Sequence, residues 1–234
     1  MPAKHSQKQY LKNGYYHLYN RGVEKRKIFL DSQDYAVFLS YLKEYLSAKN
    51  EKELSERLAN PAISPQERDK ILRLLRLNNF TDEITLLAYC LMPNHFHFFV
   101  KQKSARSIDK FINSLGTRYT MYFNKKYKRV GSLYQGVYKA VQVLTDEQFI
   151  YLSKYIHKQA LVLKGVALQG DALQDSQGQP SSYEDYLEKR KTEWVKPQEV
   201  LTYFSKTNPK LSYQAFVEET EEFGPIENLL LEEN

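Results

Sequence analysis

The 234-residue chain contains one cysteine, Cys90, and one tryptophan, Trp194. A lone cysteine excludes an internal disulfide framework and any zinc site built from several thiolates, and it fits a reducing cytoplasm. No apolar run reaches the length of about 18 residues that a membrane-spanning helix needs, so a membrane is not an expected partner. The first thirteen residues are polar and basic and lack the apolar stretch of a secretory signal. Residues of one class are plentiful: 19 Tyr and 12 Phe. With 42% hydrophobic residues the chain reads as a folded globular protein.

Charge is unevenly spread. Up to Gly165 there are 28 Lys and Arg against 14 Asp and Glu; from Val166 onward the counts are 6 and 14. A basic body with an acidic tail points the body toward a polyanion, and exposed aromatic rings suit stacking on unpaired bases.

Periodicity predicts the elements. Residues 14–20 alternate as a first strand. Asp31 caps a helix reaching about Ala48, with Tyr35, Phe38, Leu39, Leu42 and Leu46 on one face. Residues 51–80, charged and broken by Pro61 and Pro65, read as two inserted helices. An apolar run over 84–92 is a central strand, Pro93 and Asn94 form a turn, and 95–101 returns as the next strand. A helix from Ser107 to about Tyr127 ends in Lys125, Lys126, Lys128 and Arg129. Residues 138–143 form a fourth strand. Thr145 and Gln148 make a capping box for a last helix reaching about Lys164, with Phe149, Leu152, Ile156 and Leu163 as its apolar stripe and Gly165 as its stop. The order β-α-(insert)-β-β-α-β-α is that of an α+β, ferredoxin-like antiparallel sheet with helices on one face. The expected organisation is a catalytic body over 10–165, a linker over 166–182, and a small acidic helical extension over 183–234 carrying Trp194, Val200, Leu201, Phe204, Tyr213 and Phe216.

Two features carry chemistry. His95 and His97 alternate on one strand face, with Phe96, Phe98 and Val100 on the other. Side by side, two imidazoles are either a two-ligand metal platform or ordinary polar residues on a solvated face, and the strand alone does not choose. On the last helix Tyr155 and Gln159 stand one turn apart on one face. Taken alone they are equally a core tyrosine and a surface amide.

Together these segments resemble a known family. Met92-Pro93-Asn94-His95-Phe96-His97 and Tyr155-Ile156-His157-Lys158-Gln159 are similar to the motifs of the single-tyrosine HUH transposases, and most of all to the REP-associated tyrosine transposases. Residues 16–22, 114–119, 131–138 and the Trp194 region support this in the expected order. The resemblance implies that His95, His97 and the amide oxygen of Gln159 hold Mg²⁺ or Mn²⁺. It implies that Tyr155 is the nucleophile forming a 5′-phosphotyrosine. The REP-associated branch more often has Asn where this chain has Gln159; both present an amide oxygen. The implied partner is single-stranded or hairpin-forming repeat DNA, the implied setting a bacterial cytoplasm and nucleoid, and the protein a monomer or a homodimer. Arg21, Lys25, Arg26, Arg118, Lys125, Lys126 and Arg129 are candidate phosphate contacts. His157 points away from Tyr155, and His17 reads as structural. The 51–80 insert departs from the compact family pattern. Rival readings are a non-catalytic single-stranded nucleic-acid-binding module and a metal-dependent hydrolase using activated water.

Overall fold

Aromatic and β-branched residues alternating along four segments build one antiparallel sheet. The computed structural model describes residues 10–166, 179–219 and 226. Its strands are β1 (Tyr15–Arg21), β2 (Ile84–Met92), β3 (His95–Gln102) and β4 (Lys139–Val143), in the order β2-β3-β1-β4. β1 is therefore central, flanked by β3 and β4.

The first face carries Tyr16, Leu18, Leu91, Phe96, Phe98 and Val100. Against it pack α1 (Ser32–Leu46) and α4 (Ser107–Lys126), which bring Phe38, Leu42, Phe111, Leu115 and Tyr119 into the same core. Asp31 caps α1 as the sequence predicts, its side chain accepting from Asp34 N. Between these helices and β2 lie α2 (Glu51–Ala59) and α3 (Pro65–Arg76), the two inserted helices. Ser64 caps α3 and Pro65 occupies its first turn, where a missing N–H costs nothing.

The expectation of helices on one face holds for α1 and α4. The other face is covered too, by α5 (Asp146–Val166) and the C-terminal segment. Gln148 N donates to Thr145 Oγ1, as the capping box predicts, and the Gln148 side chain accepts from Leu144 N. The helix runs one residue past Gly165. Phe149, Leu152 and Ile156 are buried against Leu87, Ala88, Cys90 and Phe99; the side chain of Leu163 lies outside the described residues.

Of the predicted linker, 167–178 also lies outside them. Its end is not a free linker: Leu91 N donates to Pro180 O and Ser182 N to Tyr89 O, along the exposed edge of β2. Further on, Lys196 N donates to Leu86 O, and Trp194 stacks on Tyr89 with ring centroids 5.5 Å apart. Edge strands invite unwanted pairing, and this edge is covered by the chain's own extension. The short helices α6 (Tyr183–Tyr186), α7 (Gln198–Leu201) and α8 (Tyr213–Glu218) supply Tyr183, Tyr186, Val200, Tyr213 and Val217 to the core beneath α5. Most of the acidic stretch beyond 219 is outside the described residues. Among the described residues no helix is long and apolar enough to cross a membrane.

Candidate active site

Strand alternation puts Tyr15, His17, Tyr19 and Arg21 of β1 on the same sheet face as His95, His97 and Phe99 of β3. Register then sets the neighbours: Arg21 opposes His95, Tyr19 opposes His97, and His17 opposes Phe99. This is the face that α5 covers. The Tyr155 ring stands edge-on to His97 at 5.4 Å and to His17 at 6.1 Å between centroids. The halves of the motif, far apart in sequence, meet here.

The hairpin turn that carries His95 is held from outside. Ile28 N and Phe29 N both donate to Pro93 O, and Gly22 N donates to Asn94 O at 2.8 Å. Gly22 is required by the loop that follows it: a Cβ there would lie 2.2 Å from Arg26 O.

The two imidazoles are arranged alike. His95 Nδ1 donates to Asn94 Oδ1 at 2.6 Å, which leaves the lone pair on Nε2. His97 Nδ1 lies 2.9 Å from His17 Nε2, and His97 Nε2 is buried with no hydrogen-bond partner. Burial, then the charge of Arg21, lowers His95 to about 4. Burial first, then His17, His95 and Arg21, pushes His97 well below its ordinary value. Both rings are thus neutral near pH 7, the form that ligates metals. A buried imidazole nitrogen without a partner is what a metal site leaves when considered without its ion. Among the described residues no three His, Cys, Asp or Glu side chains cluster as a metal site. Gln159 is half-buried, one turn beyond Tyr155 on α5.

The basic candidates divide. Arg21 is half-buried beside His95, with its Nε buried and unpartnered. Lys25 and Lys125 are exposed. Arg118 pairs with Glu44 at 2.6 Å and lies over the Tyr41 ring at 3.7 Å. Lys126 bridges Asp31 and Asp34, each at 2.8 Å. Arg26 pairs with Glu24, and Arg129 donates to Asn124 while resting on Phe123.

His17, which the sequence marks as structural, lies in this group beside His97. The signal was its place in an alternating strand, but only the pairing of β1 with β3 reveals its neighbour. His157 lies off the site, as its helical position predicts, bonded to Tyr213 and Ser182. A surface cavity of about 540 Å³ beside Asp185, Arg190, Lys196 and Leu201 contains none of the histidine–tyrosine group.

Two solved structures are similar in shape. One is a REP-associated tyrosine transposase bound to a REP hairpin, 10% identical, covering 76% of this chain and 98% of that one with a TM-score of 0.43. The other, a candidate transposase from Deinococcus radiodurans R1, is 13% identical and covers 66% of this chain and 97% of that one with a TM-score of 0.36. No curated protein matches. The model of the IS200-like transposases matches residues 59–159, a span that takes in His95, His97, Tyr155 and ends on Gln159. Over that span, less than half of the chain, the sequence is similar to the IS200-like transposases.

Proposed function

We propose that the protein cuts and rejoins single-stranded DNA beside hairpin-forming repeats, with Tyr155 as nucleophile and His95, His97 and Gln159 as ligands of Mg²⁺ or Mn²⁺. The observation that carries this reading is the Tyr155 ring edge-on to His97, whose buried Nε2 has no partner.

A divalent ion bound there would neutralise the scissile phosphate and orient it. The chain's own residues do the rest. Arg21, beside the histidines, contacts the phosphate. The Tyr155 oxygen attacks phosphorus, the bond from phosphorus to the 3′ oxygen breaks, and the phenolic proton ends on that oxygen as a 3′-OH. The 5′-phosphotyrosine conserves the bond, so attack by a second 3′-OH rejoins the strand without a nucleotide cofactor. Lys25 and Lys125 guide the backbone, while Arg26, Arg118, Lys126 and Arg129 serve mainly their internal partners.

The test is incubation of the protein with hairpin DNA bearing a single-stranded flank and Mg²⁺ or Mn²⁺. Wild type forms a covalent adduct that survives denaturing electrophoresis. Tyr155→Phe, which keeps the ring packing, forms none. Equal adducts from both proteins would remove Tyr155 from its role. Salt-sensitive binding with no adduct on any substrate would favour a non-catalytic module.

A further inference from the structure

We propose that His17 is a positioning residue for His97: by accepting the proton on His97 Nδ1 it fixes the tautomer whose Nε2 faces the metal. The inference rests on the metal reading of the site.

His17 and His97 are both fully buried, on the central strand and its neighbour. Their rings are nearly parallel, 22° apart, with centroids at 5.1 Å. A 2.9 Å contact between His17 Nε2 and His97 Nδ1 leaves room for one proton between them. That proton has two locations with different consequences. If His17 Nε2 carries it, neutral His97 must hold its own proton on Nε2 and cannot bind a metal there. If His97 Nδ1 carries it, Nε2 presents a lone pair. His97 Nε2 has no acceptor nearby that a proton could use, and a buried N–H without an acceptor is tolerated less often than an acceptor without a donor. The second arrangement is therefore favoured even before an ion arrives. The hydrogen bond made by one ring nitrogen sets what the other can do. His95 receives the same service from Asn94 in the turn, so each ligand has its own orienting partner.

The experiment uses the full chain and Mn²⁺ alone, with affinity read by calorimetry and thermal unfolding measured without metal. His17→Phe keeps the ring and removes the acceptor; His17→Gln returns an acceptor close to the Nε2 position. His95→Ala tests the underlying metal reading. If wild type binds no Mn²⁺, or His95→Ala binds it as tightly, that reading fails. If wild type binds and His95→Ala does not, the His17 variants decide. Expected is a loss of about 10- to 100-fold in Mn²⁺ affinity for His17→Phe, with His17→Gln closer to wild type and the two variants melting alike. Unchanged affinity in His17→Phe would overturn the proposal, as would equal losses in both variants. Should His17→Phe fail to fold, the tautomer of His97 in metal-free wild type, read from imidazole nitrogen shifts, still decides. A proton on Nδ1 supports the proposal and a proton on Nε2 defeats it.

Discussion

Lys126 shows how much a single residue's role depends on what surrounds it. In sequence it belongs to a basic run at the end of α4 and is as good a phosphate contact as Lys125. In the fold its Nζ lies 2.8 Å from both Asp31 oxygens and from Asp34. Asp34 is fully buried and also accepts from Leu30 N, Tyr122 OH and Tyr127 OH. Removing the lysine leaves a buried carboxylate with neutral donors only, while the lysine itself is partly exposed and its pair partly screened. Lys126→Ala is expected to cost about 2 kcal/mol, or roughly 4–8 °C in Tm for a chain of this size. Lys125→Ala, on the exposed side, leaves Tm near wild type and lowers the salt dependence of DNA binding by about one phosphate contact. Melting curves and binding isotherms over a salt series check both. A Lys126→Ala protein that melts like wild type yet binds DNA poorly would reverse the assignment.

At the scale of elements, the tyrosine helix is held by a polar clasp. His157, two residues after Tyr155, places Nδ1 2.6 Å from Tyr213 OH of α8 and Nε2 2.8 Å from Ser182 Oγ, which also accepts from Tyr89 N of β2. Tyr183 and Tyr186 pack around the ring. Burial, then the charge of Arg190, lowers His157 to about 3. The unfolded imidazole titrates near 6.5. Between those values the unfolded chain binds a proton that the folded chain refuses, so stability is complete above about pH 6.5 and declines as pH falls toward 3. His95, lowered to about 4, acts in the same direction. Urea unfolding at pH 7.5 and 5.5 is expected to show a loss of roughly 1 kcal/mol per histidine at the lower pH, with a smaller loss in His157→Gln. Equal stability at the two pH values would contradict this account. These elements were legible to different degrees. β2 has the bounds its apolar run and the Pro93-Asn94 turn mark out, and α1 begins where Asp31 caps it. The ferredoxin-like order already sets β1 beside β3; the residue register between them was not readable, because it depends on contacts distant in sequence, and with it went the meeting of His17 with His97. Tyr155 is one of 19 tyrosines, and only its motif, never its burial or spacing alone, singled it out.

For the whole molecule, the sheet has two covered faces, and the second depends on the C-terminal extension. Composition marks the extension as a separate acidic piece after a linker. Yet Tyr183, Tyr186, Val200, Tyr213 and Val217 are buried in the same cluster as Leu152, Tyr155 and Ile156 of α5. Burying a large apolar side chain contributes about 1.5–3 kcal/mol, so these five contribute on the order of 10 kcal/mol, as much as the net stability of a typical domain. The extension, with the end of the linker at Pro180 and Ser182, also hydrogen-bonds the β2 edge and supplies the His157 partners Tyr213 and Ser182. A chain ending at Gly178 therefore uncovers α5 and the β2 edge together. The full chain is expected to unfold in one cooperative transition by calorimetry, with the extension and the sheet melting at the same temperature. The shortened chain is expected to lose that transition, to bind a hydrophobic dye and to associate through the bared edge. It also loses the Tyr155 adduct, because only the packing of Phe149, Leu152 and Ile156 on β2 and β3 then holds the helix near His97. A shortened chain that melts cooperatively near the full-length temperature would make the extension an accessory rather than half of the second core.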